Sequence, residues 1–368
     1  MLFDMSHAAP GHDVEKIRKV SRLGIAVAVV GALIQLLLGL YYLAMAHSPH
    51  PHDLPVGLVS SAQQRAALTP QLEQDHAFKV RSYDDAGGLI KAIKDRDAYG
   101  GVVFNGKVPT LYVASAAAPS VANLLKASFT AAYQKEIAGQ VAQIAQAGKP
   151  VPAQMAAALA TPPAIQDVVP LPKDDSAGSS LSFIIQAICL GGSIASLALG
   201  RLGGLTQRSL VRGVGHVALL VVYAAASAGV ALLAMSAFGV GTGASNGTLF
   251  WGLALISLAV TASIAAAVAV FGSVGSLLGG VYFTLGLIIS GASIAPEMLP
   301  HAGDVIGKVL PPGAGATVVR DALYFPSAST SGPFVVLCIY AGVGLLIVLL
   351  SNAAPNRTRA TSVIAEAA

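Results

Sequence analysis

Long apolar runs separated by short polar stretches dominate this chain. A helix needs about 20 residues to cross about 30 Å of hydrocarbon. Six runs reach that length: 23–46, 181–199, 214–238, 248–271, 275–295 and 333–351. None of them contains Lys, Arg, Asp or Glu. A single such charge at a helix centre costs roughly 2.5–3.5 kcal/mol on insertion scales, so six charge-free runs predict six membrane-spanning helices. Composition agrees, since only 11% of residues are charged against about 25% in soluble proteins.

The stretch between the first and second runs has a different grain. Leu54–Ser60 reads as a strand, 62–76 as a helix and Lys79–Tyr83 as a second strand. Asp84 and Asp85 are placed to cap a helix running through Ile93, because a carboxylate there accepts from free N-terminal amides. Gly101–Phe104 and Thr110–Ala114 read as two strands around an Asn105-Gly106 turn. Val121, Leu125, Phe129, Tyr133, Ile137, Val141 and Ile144 recur every three or four residues. That spacing predicts one apolar stripe on a helix of roughly 27 residues, about 40 Å long. Residues 149–180 are Pro- and Ala-rich and read as a semi-stiff linker. Basic and acidic side chains are equal in number over 47–180, the balance of a water-soluble domain.

The predicted fold is therefore a polytopic α-helical membrane protein with an α+β extracytoplasmic domain between the first two of six spans. Its parts are an N-terminal segment 1–22, a first span 23–46, a domain 47–148, a linker 149–180, a five-helix membrane region 181–351 and a tail 352–368. Orientation follows from basic residues beside the spans. Lys16, Arg18, Lys19 and Arg22 precede the first, Arg201, Arg208 and Arg212 separate the second from the third, and Arg357 and Arg359 follow the sixth. Six spans put these groups on one side, expected to be cytoplasmic in a bacterial plasma membrane, together with both termini. The first run has a rival reading as a signal peptide cleaved after Ala44-Met45-Ala46. At 24 residues it is longer than a secretory core of about 7–15, so a retained span is expected.

Candidate chemistry narrows the picture mainly by exclusion. Cys189 and Cys338 both lie inside apolar runs, which gives no cysteine pair at metal-ligand spacing. Gly101 to Lys107 has the spacing of a phosphate-binding loop, but Val108 stands where Ser or Thr must hold magnesium. No ATPase and no other cofactor site is expected in this chain. His47, His50 and His52 cluster in a Pro-broken segment without a fixed fourth ligand, and read as polar residues at the end of a span. No nucleophile set can be assembled, so no enzyme activity is expected, and no basic stripe with aromatics points to nucleic acid. Glycines at 191, 192, 275, 279, 342 and 344 predict close helix approaches, since small residues let backbones meet in lipid.

The stretch joining the last two runs, 290–324, is too polar to span and too apolar for an ordinary loop. Val305, Ile306, Val309 and Leu310 fall on one helical face, and Val318, Val319, Leu323 and Tyr324 on another. Two short amphipathic helices at the outer boundary, broken by prolines, are expected. Arg320 and Asp321 would sit there, paired with residues such as Glu297 or Lys308. A surface-lying connector is the alternative.

Gly291, Pro296, Glu297, Pro300, Leu310, Pro311, Arg320 and Tyr324 form a Gly-Pro-Glu-Pro, Leu-Pro, Arg-Tyr series before the last span. With one span, a domain and five further spans, the chain resembles permeases of the type-2 ABC exporter class. Its layout is similar to the phage-infection-protein (Pip-like) branch. The resemblance implies a homodimer or paired half-transporter in the lipid membrane, energised by ATP through a separate cytoplasmic ATPase. It also implies that the loop bearing Arg201, Arg208 and Arg212 meets that ATPase. That loop lacks the Glu-Arg-Gly-Thr-Leu pattern of energised members. The function expected is export of an amphipathic or envelope-derived compound. The rival is a non-transporting scaffold that presents its domain to envelope assembly, secretion machinery or phage.

Overall fold

The computed structural model describes residues 10–47, 49–104, 108–204, 209–241 and 243–353. The chain divides after Ser48 into two units. The first is a single helix, α1 (Pro10–Ala46), of 37 residues. Within it Gly24–Met45 is long and apolar enough to cross a membrane, and Ile25, Leu33, Leu37 and Leu43 are all exposed.

The second unit begins with an α/β domain: β1 (Leu54–Val59), α2 (Ala62–Leu72), β2 (Phe78–Ser82), α3 (Ala86–Lys94), β3 (Gly100–Val103), β4 (Thr110–Val113), α4 (Pro119–Gln146), α5 (Ala153–Ala160) and β5 (Ala164–Asp167). The strands form one sheet in the order β2-β1-β3-β4-β5, parallel throughout except between β3 and β4. Local chemistry sets the helix starts. Ser61 and Gln64 make a reciprocal capping box on α2, and the Asp85 carboxylate accepts from the Gly88 amide at 2.7 Å on α3. Leu54 and Val56 of β1 and Leu111 and Val113 of β4 pack on Val121, Ala122 and Leu125 of α4. On the other face Val59 and Val103 meet Leu89 and Ile93 of α3. Gly57 faces α3, and a β-carbon there would overlap the Leu89 side chain, so glycine lets the helix rest on the sheet.

The stretch expected as a linker supplies α5 and the edge strand β5. Leu111 pairs in register with Ile165, and the Val168 amide continues the ladder to the Val113 carbonyl at 2.8 Å. A strand of four residues, within six between prolines, is too short a run for alternation to reveal. The expected Asn105-Gly106 turn lies outside the described residues, between the antiparallel β3 and β4.

The rest of the unit is helical: α6 (Ser180–Gly204), α7 (Leu210–Ala237), α8 (Asn246–Phe271), α9 (Leu277–Ile289), α10 (His301–Val309), α11 (Pro311–Tyr324) and α12 (Ser331–Ala353). α8 is central, with Leu253, Ile256, Ala259, Val260 and Ile264 all buried. Small residues bring its neighbours close. Gly192 of α6 rests on Val260 and Thr261, Gly344 of α12 on the Ala262 backbone, and Gly279 of α9 on Ser193 of α6. Gly342 has nothing near it.

Among the described residues five stretches are long and apolar enough to span: Gly24–Met45, Ser180–Gly200, Leu210–Ala237, Asn246–Ile289 and Ser331–Ala353, the fourth of which, at 44 residues, contains both α8 and α9. The run predicted as a separate span over 275–295 is helical as α9 only to Ile289, 13 residues or about 20 Å. Gly291, at φ 73°, turns the chain away after that. The chain then makes an excursion through α10 and returns as α11, 14 residues long. Gly279 and Tyr282 of α9 meet Ile264 and Ser263 of α8, whereas Gly315 and Val318 of α11 meet Ile256 and Gly252. α9 and α11 thus line successive halves of α8, and Gly286 touches Pro312 where they approach. The two behave as one interrupted helix. α11 is no surface connector, since Pro311–Ala316 and Val318–Asp321 are buried. Only α10 keeps the expected amphipathic exposure, through Val305, Ile306 and Val309.

Candidate functional site

The interruption between α9 and α11 is where the α/β domain meets the helical bundle. Both apolar layers of the domain are completed by bundle residues. Ala295 and Met298 join the Leu54–Val56–Val121 layer, and Phe325 joins Leu89, Ile93 and Val103. Met298 is 4% and Phe325 1% exposed, so this contact is core packing.

A polar network lies within that contact. α3 ends in a Schellman motif: the Asp97 amide donates to the Ala92 carbonyl and the Arg96 amide to that of Ile93. Glycine usually fills the left-handed position of this motif, but here it is Arg96, at φ 62°. The Arg96 guanidinium lies 2.5 Å from the Asp321 carboxylate on α11 and 5.7 Å above the Phe325 ring. Three residues on, the Tyr99 hydroxyl donates to Glu297 Oε2 at 2.7 Å. The His52 amide donates to the Glu297 carbonyl at 2.8 Å. On α11 the Arg320 guanidinium donates to the Ala292 carbonyl at 2.8 Å, a backbone acceptor freed by the break.

Arg96 and Arg320 balance Asp321 and Glu297, so the buried cluster carries no net formal charge. Balance matters here, because an unpaired ion away from water costs several kcal/mol. Burial works against the Arg96 charge, yet Asp321, Tyr99 and Glu297 hold its pKa above the ordinary value. Burial first, and then Glu297, push the Tyr99 phenol up, which keeps it a hydrogen-bond donor. Lys308 lies 3.8 Å from Glu297 and 2.6 Å from Asp304.

The structure brings together Glu297, Arg320 and Asp321, which the sequence singles out, but not in the expected pairs: Glu297 and Lys308 meet one another, and Arg320 takes the Ala292 carbonyl. Asp321 takes its partner from the domain instead. Gly291 and Pro296 pack on one another at the end of α9, Pro300 precedes α10, and Pro311 opens α11 without needing an amide partner. Tyr324 packs in the α3 layer beside Phe325. Arg201 lies in the last turn of α6 and Arg212 in the first of α7, where the adjoining Gly213 meets Leu349 near the C-terminal end of α12. Arg208 lies outside the described residues. Arg96 and Tyr99 are not marked by the sequence, and His52 is marked there only as a polar residue at the end of a span, because their partners are about 200 residues away or more. An arginine in a glycine position, within Asp95-Arg96-Asp97, is the only local sign. Gly101 is a paired β3 residue, whereas Gly106 and Lys107 lie outside the described residues. Among the described residues no group of His, Cys, Asp or Glu is arranged to hold a metal.

A family model described as ABC-2 family transporter protein matches residues 25–350. No curated protein and no solved structure matches the chain.

Proposed function

The chain belongs to the ABC-2 family of transporter proteins, and we propose that it is the permease subunit of an ABC-type exporter for an amphipathic or envelope-related compound. The observation that carries this reading is a family match extending from the first span to the last. Transport in this reading draws on a separate ATPase, which docks on the segment of the sequence that carries Arg201, Arg208 and Arg212. Two copies, or one copy and a related half, form the pathway.

In the same reading both termini are cytoplasmic and residues 47–180 stand on the outer side of a bacterial plasma membrane. The junction then lies at the outer boundary of the bilayer. Support for a working connection there comes from Ala292, Glu297 and Asp321. All three lie in or beside the interrupted helix, and each is held by an arginine or tyrosine. A movement of α9 against α11 would be felt by the domain through these contacts, and the reverse.

The test is reconstitution of the chain with its ATPase in sealed vesicles, followed by ATP hydrolysis and release of labelled lipid-like compounds. Substrate-stimulated hydrolysis that needs both subunits is expected. Hydrolysis indifferent to the permease, with export unchanged in cells lacking it, would rule the reading out.

A further inference from the structure

We propose that the cleft between β2 and α10 binds a zwitterionic group carrying a phosphate and an ammonium, the chemistry of a phosphoethanolamine headgroup. The inference concerns binding alone and does not depend on the exporter reading.

The cleft has a volume of about 320 Å³, inside the range of small-ligand sites. A second concavity, beside Tyr324, has about 10 Å³, enough for a water. Two elements of opposite charge bias wall the larger one. On the domain side, Lys79 and Arg81 alternate along the edge strand β2 and so share a face. Asp53 is the only carboxylate lining that side. Arg81 donates to the Asp97 carbonyl at 2.9 Å and lies 3.6 Å from the Asp97 carboxylate, whereas Lys79 has no ion-pair partner among the described residues. On the bundle side, Glu297 and Asp304 share one ammonium, that of Lys308. Of the charged side chains that line the cleft, the domain wall holds two cations and one carboxylate, and the bundle wall two carboxylates and one ammonium.

That arrangement selects for ligand charge. A simple anion attracted by Lys79 and Arg81 would face the carboxylates across the cleft, and a simple cation would meet the opposite penalty. A group with both charges satisfies both walls. Its phosphate would lie toward Lys79 and Arg81, and its ammonium toward Asp304 and Glu297.

α10 identifies the source as membrane-derived. Gly307 lies against Ile289 of α9, while Asp304 and Lys308 line the cleft. The remaining face carries Val305, Ile306 and Val309, which are 47%, 44% and 51% exposed. An exposed apolar row bordering a charged cleft suits an amphiphile, with its head in the cleft and its chains along the row.

The test uses the full chain in detergent with three short-chain probes. These are dioctanoyl phosphatidylethanolamine, dioctanoyl phosphatidylglycerol (a phosphate without an amine) and water-soluble glycerophosphoethanolamine, with binding read by native mass spectrometry and titration. Phosphatidylethanolamine should bind at least tenfold more tightly than phosphatidylglycerol. The double variant Lys79→Ala, Arg81→Ala, at exposed positions, should weaken both lipids about tenfold. Asp304→Asn should weaken only the amine-bearing lipid and leave phosphatidylglycerol unchanged or tighter. Stronger binding of the lipid than of glycerophosphoethanolamine assigns the ligand to the bilayer, whereas equal binding assigns the same headgroup chemistry to a soluble source. Equal affinity for the two lipids, or binding indifferent to both variants in protein that elutes as wild type, would overturn the proposal.

Discussion

The Arg96 guanidinium and the Asp321 carboxylate lie 2.5 Å apart across 225 residues of sequence. This ion pair joins the end of a domain helix to the second half of the interrupted bundle helix. Asp321 is 3% exposed and Arg96 17%, so removing one partner strands a charge away from water.

Arg96→Ala should therefore lower stability by roughly 3 kcal/mol, as for buried pairs broken on one side. Arg96→Gly should be the milder change by about 1 kcal/mol, because glycine adopts the left-handed conformation freely. Thermal unfolding in detergent should rank wild type above Arg96→Gly and Arg96→Ala last. Adding Asp321→Ala to Arg96→Ala should cost less than the sum of the single changes. A strictly additive pair would mean the contact does not hold the junction.

Tyr99→Phe removes one hydroxyl and leaves Glu297 Oε2 without its domain donor. A loss of about 1–3 kcal/mol is expected, with little change in expression. Glu297→Gln keeps an acceptor for Tyr99 and should be gentler at this contact. If Tyr99→Phe melted with wild type, the hydrogen bond would contribute nothing to docking.

Phe325 and Met298 belong to the bundle but complete the domain's two apolar layers. Phe325→Ala should cost about 3–5 kcal/mol and Met298→Ala about 2–5 kcal/mol. Residues 49–179 made without the bundle should expose these layers and bind a hydrophobic dye such as ANS. A cooperatively folded fragment that excludes the dye would show the domain to be self-sufficient.

Gly344 meets the Ala262 backbone and Gly342 meets nothing. Gly344→Val should lower the melting temperature and the monodisperse yield, with a cost of about 1–3 kcal/mol or more from overpacking. Gly342→Val should be tolerated. Equal effects of the two would contradict the α8–α12 contact.

Much of this architecture is visible in single residues. Absence of charge marks the long helices, Asp85 marks the start of α3, and Val121 through Ile144 mark α4. The interruption at Ser290 is harder to read. Apolar composition continues to Ala295, and only Gly291 and the prolines signal that the helix ends at Ile289. α11 looks amphipathic because Arg320 and Asp321 are charged, but their partners, the Ala292 carbonyl and Arg96, let it be buried. Those partnerships are tertiary, and no periodicity encodes them. The edge strand β5 is hidden similarly, since its pairing with β4 outweighs a linker-like composition.

A permease that works with a separate ATPase, as proposed, should carry that subunit with it when the full chain is purified from native membranes in mild detergent. A stoichiometric ATPase, lost when Arg208 and Arg212 are replaced by alanine, is expected. Recovery only of envelope or secretion proteins, held through residues 47–180 and unaffected by those replacements, would contradict it.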